Sequence, residues 1–153
     1  SKLVIVGDGP LVSSLKPFYN KRHGVIWLGF VADEEKRIEI LRAADVFILP
    51  SLVEGLSLSL LEGMACGIAC VATDAGADGE VLEEGAGVVL STNRVTTQLK
   101  TLLPLLQDHP ELTKVLGEKA RARVLDRYTL NCNITELESL YQQAVLAKSM
   151  QMM

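Results

Sequence analysis

Two carboxylates, Glu54 and Glu62, close the run EGLSLSLLE at either end, with one glycine and two serines among the residues between them. A carboxylate accepts hydrogen bonds, so a pair at this spacing suits a ligand rich in hydroxyls. Gly55 permits a backbone turn that a side chain would block. Ser57 or Ser59 can cap a helix that starts here, and the unpaired amides of its first turn, with the positive end of its dipole, form a seat for phosphate. Glu62 then lies one turn inside, within reach of ribose hydroxyls. A reading without any ligand is also open: Ser59-x-x-Glu62 matches a capping box, and Glu54 matches a solvated loop acid.

The other reactive residues form weaker sets. Asp74, Asp78 and Glu80 are close in sequence but lack the dense oxygen spacing of a calcium loop, and Ala75-Gly76-Ala77 between them reads as a plain turn. No metal site is expected. His23 and His109 have no serine or cysteine beside them in a nucleophile motif and are expected at the surface. Cys66, Cys70 and Cys132 are odd in number and lack a CxxC pair, which points to buried thiols in a reducing compartment. Gly7-x-Gly9 begins like a dinucleotide fingerprint, but Val12 stands where the third glycine belongs. The next apolar run ends in Leu28-Gly29, where such a fold wants an acid. A tight turn that lets Pro10 start a helix is the better reading.

The elements that would position these residues alternate. Apolar β-branched runs at Leu3–Val6, Val25–Leu28, Val46–Leu49, Ala69–Ala72 and Gly87–Leu90 interleave with helical patterns at Leu11–Asn20, Asp33–Ala43 and Ser59–Cys66. Strands that are apolar without alternation suit a parallel sheet covered on both faces, so the expected class is α/β, a doubly wound, Rossmann-like three-layer arrangement. From Val95 the chain turns helical, over Val95–Gln107, Glu111–Arg127 and Leu130–Ser149. Loops fall at Gly7–Pro10, Gly29–Val31, Pro50–Ser57 and Thr73–Gly79, at the carboxyl ends of strands, where open parallel sheets bind ligands.

At 153 residues and 48% apolar, the chain has enough material for one domain, expected over 1–149, with 150–153 as a disordered tail. A net charge of −4 with no block of Lys or Arg argues against nucleic acid as a partner. No apolar run approaches the roughly 18 residues of a membrane span, and the N-terminus lacks a signal pattern, so a cytoplasmic location is expected. Lys2–Val6 is a buried-strand run at the very start, which suggests a piece of a longer protein.

Taken in order, Val4-Ile5-Val6-Gly7-Asp8-Gly9-Pro10, Ala43-Ala44-Asp45-Val46, Pro50-Ser51, EGLSLSLLE and Glu62-Gly63-Met64-Ala65-Cys66-Gly67 resemble the donor-binding half of a GT-B glycosyltransferase, closest to family 4, the group 1 transferases. The resemblance spans about residues 2–128. It implies a C-terminal domain that binds a nucleotide-sugar while a separate N-terminal domain, missing here, binds the acceptor. By the family's pattern Glu54 would contact hydroxyls of the donor sugar and is the residue assigned to catalysis. Glu62 would hold the ribose, and Gly55, Leu56, Ser57 and Leu58 would meet the diphosphate. Phe30 and Val31 would lie against the base through their backbone, and Gly7 joins this donor-binding set.

The resemblance further implies a retaining transfer of a hexosyl or pentosyl group, with no cofactor and no obligatory metal, because positive groups and the helix head stabilise the leaving diphosphate. The family's diphosphate-gripping Arg and Lys lie upstream of residue 1, so the isolated chain is expected to be inactive. Any peripheral membrane contact is expected only through the missing half, and Leu137, Leu140, Tyr141 and Val145 are expected to be partly exposed and to promote self-association. This chain departs from the pattern in having Ser57 for Gly, Gly63 for Ala, Ala69 for Pro, and Gly76-Ala77 followed by Asp78 for the usual Gly-Gly. Two other readings stay open. One is an epimerase or hydrolase of the same fold using Asp8, Asp74 or Asp78; the other is a non-catalytic module that binds a nucleotide-sugar or a protein.

Overall fold

The computed structural model describes the backbone of residues 1–151 and side chains through Lys148. The chain divides into two compact units, residues 1–40 and 41–153.

In the first unit, β1 (Leu3–Val6) pairs in parallel with β2 (Val25–Gly29). Between them the expected Leu11–Asn20 helix shrinks to one turn, α1 (Val12–Leu15), followed by a 3-10 turn at Lys21–His23. Pro17 is the reason: Lys16 keeps helical geometry, but Pro17 has no amide with which to continue the helical hydrogen bonds. The Gly7 amide donates to the Gly29 carbonyl at 2.8 Å, which sets the loops after β1 and β2 side by side. Helix α2 (Glu34–Arg42) follows, its first turn carrying Glu34 and Glu35 as the helix dipole favours.

The second unit holds a parallel sheet in the order β3-β4-β5, from Val46–Leu49, Ala69–Thr73 and Val88–Leu90. The central strand, β4, is buried at every position. Its side chains alternate between two cores. Ala69 and Val71 pack with Leu90, with Leu106 and with Leu116, which brings α5 (Val95–Asp108) and the start of the following helix onto one face. Cys70 and Ala72 pack with Leu60, Met64, Val81, Ala120 and Val124, which brings α3 (Leu58–Ala65), the short α4 (Asp78–Val81) and α6 (Pro110–Arg127) onto the other. The unit is thus a three-layer α/β/α arrangement, as the apolar runs imply.

Small residues let the helices approach closely. Gly63 of α3 faces the Phe47 ring and the Cys70 sulfur, and a Cβ at Gly117 of α6 would overlap the Gly67 carbonyl. Burial pushes the Cys70 thiol up to about 12, with Cys66 adding to the shift, so this thiol is packing material. The last helix, α7 (Leu130–Gln151), leaves Leu137, Leu140, Tyr141 and Val145 exposed. Its bounds take in Met150 and Gln151, the first two residues of the expected 150–153 tail. The rest of that tail, Met152 and Met153, lies outside the described residues.

Candidate functional site: the head of helix α3

β3 ends at Leu49 and β4 at Thr73, and the loops that follow them are joined. The Thr73 hydroxyl donates to the Ser51 carbonyl, and the Ala77 amide donates to the Gly55 carbonyl at 2.7 Å. Gly76 makes this approach possible. It takes φ +58°, and a Cβ there would overlap the carbonyl oxygens of Glu54 and Gly55. Glycine is required on both counts.

Helix α3 starts where the two loops meet, and its cap is Ser57. The Ser57 hydroxyl accepts from the Leu60 amide at 3.4 Å and shares a hydrogen bond with the Ser59 hydroxyl at 2.9 Å. This replaces the Ser59-x-x-Glu62 capping box. With the cap at Ser57, the third helical residue is Leu60, so Glu62 lies beyond the reach of a reciprocal cap. Glu62 is exposed on the second turn, and Glu54 is half-buried in the loop before the helix.

One more carboxylate reaches this place from a distance in sequence. Asp78, the first residue of α4, is fully buried, and its Oδ1 accepts from the Ser57 amide at 2.9 Å. Its Oδ2 is buried with no hydrogen-bond partner among the described residues. An acid at a helix head is electrostatically favoured, but a lone buried carboxylate oxygen is costly. Sequence reasoning weighed Asp78 with Asp74 and Glu80 for a cation, as an acid or base of an epimerase or hydrolase, and as the residue following the Gly76-Ala77 departure from the family pattern. Its contact with Ser57, another such departure, depends on the fold alone.

The Ser57 amide is therefore engaged inside the protein. Among the described residues, nothing accepts from the amides of Leu58 and Ser59 at the head of α3. Leu56 and Leu58 are exposed around them, as is Gly55. Asp74 is exposed at the end of β4, beside Gly79, and Glu80 is exposed on α4. Among the described residues His, Cys, Asp and Glu do not gather in a group of three that could hold a metal ion.

Of the remaining residues, Gly7, His23, Phe30 and Val31 belong to the first unit and His109 to the second. Gly7 closes onto Gly29 as described, and Phe30 is 78% exposed. The Val31 and Ala32 carbonyls both accept from the Arg37 guanidinium, at 3.4 Å and 3.0 Å. His23 is exposed, and His109 is exposed in an ion pair with Glu111 at 2.9 Å.

Comparison with known proteins identifies the family and the fold. The family model described as "Glycosyl transferases group 1" matches residues 1–123. N-acetyl-alpha-D-glucosaminyl L-malate synthase of Bacillus anthracis is 30% identical over 142 residues, which is 92% of this chain and 37% of that protein. UDP-Gal:alpha-D-GlcNAc-diphosphoundecaprenol alpha-1,3-galactosyltransferase of Escherichia coli is 29% identical over 97% of this chain and 38% of its own length. Among solved structures, sucrose-phosphate synthase from Thermosynechococcus elongatus superposes with a TM-score of 0.77 at 25% identity, over 95% of this chain and 39% of that one. Anabaena HepE, solved in complex with UDP-glucose, gives 0.78 at 23% identity over 92% of this chain and 41% of its own. The chain thus spans well under half the length of these relatives. The parallel α/β fold and the match across most of its residues make the chain a member of the group 1 glycosyltransferases.

Proposed function

We propose that this chain is the donor-binding half of a retaining glycosyltransferase that moves a sugar from a nucleotide-sugar to an acceptor hydroxyl. The observation that carries the reading is the head of α3: two amides without an internal acceptor, at the carboxyl ends of parallel strands, on a loop fixed by its neighbour. Backbone N–H groups and the dipole of a helix start favour a diphosphate there and stabilise the charge that develops as it leaves. Group 1 membership supports sugar transfer, and the HepE complexes make UDP and UDP-glucose the first ligands to try.

In this reading the Leu58 and Ser59 amides hold the diphosphate, with Gly55 and Leu56 shaping the approach. The Ser57 amide is set aside from the set that the family pattern implies, because Asp78 already takes it. Glu62 accepts from the ribose and Glu54 from the sugar hydroxyls, without a metal. Gly7, Phe30 and Val31 are assigned to the nucleotide on the family pattern alone. Retention follows a front-face route in which the leaving phosphate helps to deprotonate the acceptor, so no nucleophile is named.

The test is calorimetric titration of the 153-residue chain with UDP, GDP, ADP and their glucose esters. Glu62→Ala should weaken every ligand that binds by about tenfold or more, the loss of a hydrogen bond to a charged group. Binding that Glu62→Ala leaves unchanged would remove the ribose assignment. A second reading, a non-catalytic nucleotide-sugar module, is favoured by the engaged Ser57 amide. Turnover of a nucleotide-sugar by a full-length protein containing this chain decides against it.

A further inference from the structure

Ser57, a departure from the family pattern, and Asp78, which follows another at Gly76-Ala77, lie apart in sequence and meet at the head of α3, where the Asp78 carboxyl takes the Ser57 amide at 2.9 Å. Two consequences follow. The seat for an anion is left with one donor fewer, and a side chain that carries negative charge when ionised lies fully buried directly behind it. A buried charge is poorly screened by salt, so it acts on any anion held by the neighbouring amides of Leu58 and Ser59. The Oδ2 atom is buried and without a partner among the described residues, so the Ser57 amide is the one donor the structure gives this carboxyl group.

We propose that Asp78 is a specificity-determining residue that sets how much negative charge the seat accepts. The inference rests on the donor-site reading above. A nucleoside diphosphate ends in an unesterified phosphate with a second ionisation near neutral pH, whereas in a nucleotide-sugar that phosphate is esterified and carries about one charge less. Asp78 opposes the first more than the second. It therefore favours the nucleotide-sugar over the nucleoside diphosphate that transfer leaves behind, and it promotes release of that product. The role acts at the ligand's phosphates, so an uncharged nucleoside escapes it.

Asp78→Asn removes the charge and keeps an oxygen for the Ser57 amide. Asp78→Ala removes the charge without adding the donors of a carboxamide. Each folded variant, checked by circular dichroism, is titrated with uridine, UDP-glucose and UDP, or with the GDP or ADP series where that base binds more tightly.

Both variants should leave the nucleoside unchanged, tighten the nucleotide-sugar about fivefold and tighten the diphosphate about tenfold, an order rising with ligand charge. A gain of affinity is a readout that mere loss of structure does not give. Should Asp78→Asn fail to fold, the absence of any gain in Asp78→Ala, which frees the Ser57 amide as well as removing the charge, overturns the role. Equal weakening of all three ligands, or no change in any, overturns the role of Asp78 while the donor site stands. Tightening by Asp78→Asn without Asp78→Ala overturns it too, because the carboxamide donors would then account for the gain. A wild-type chain that binds none of the panel overturns the donor-site reading and this inference with it.

Discussion

The heads of α3 and α6 finish the same kind of helix end in opposite ways. At α6 the solution is local. Pro110 occupies the first turn and has no amide to satisfy, and Glu111 supplies a carboxylate to the positive end of the helix. Glu111 in turn pairs with His109, two residues away. At α3 the first turn holds no acid, and its carboxylate comes from Asp78, twenty-one residues on. At α6, which has no side-chain cap, the proline removes one donor outright, whereas at α3 the Ser57 hydroxyl caps the Leu60 amide and Asp78 takes the Ser57 amide. The amides of Leu58 and Ser59 are what remains, and this makes α3 the candidate site.

The largest effect should come from breaking the loop contact behind α3. Gly76→Ala forces a side chain into the Glu54 and Gly55 carbonyls at a positive φ, which should cost about 3 kcal/mol in denaturant unfolding. Nucleotide binding should fall with it. Next in size is Glu54→Gln, which should weaken a nucleotide-sugar severalfold while the bare nucleotide holds, as calorimetry would show. If both fall equally, Glu54 supports the loop instead.

Removing the α3 cap by Ser57→Ala should cost about 1 kcal/mol of stability. Pro110→Ala at α6 should cost roughly half of that, mainly by loosening the unfolded chain. The smallest effect is electrostatic. A backbone hydrogen bond at Glu111, then its bond with His109, holds the Glu111 carboxyl below the ordinary glutamate value. A depressed acid contributes stability above its unfolded pKa and loses it as pH falls through the folded value. An NMR titration should find Glu111 low, and His109→Ala should move it back towards normal.

Most of the fold was legible in the sequence because its signals are local. Val46–Leu49 and Ala69–Thr73 are apolar without alternation, and the structure places them as adjacent parallel strands. Gly67 ends α3 in the left-handed conformation that a helix-stopping glycine adopts. The failures have equally local or plainly distant causes. Pro17 outweighed an apolar pattern in α1, and the choice between Ser57 and Ser59 as cap depended on where the β3 loop releases the chain. Glu54 and Glu62 could be nominated from spacing. Asp78 could not be seen as a partner of Ser57, since nothing within either segment announces the other. Buried polar pairs of this kind are set by topology, and a sequence read in windows does not contain them.

Helix α3 is also tied at its far end, where the Arg121 guanidinium donates to the Ala65 carbonyl. Eight residues are too few to hold a helix in water unaided. Both ties close long loops of chain, one of them across fifty-six residues, and closure of such loops is what slows folding. The head of α3 therefore owes its place to chain that lies far beyond its own eight residues, on α4 at one end and α6 at the other.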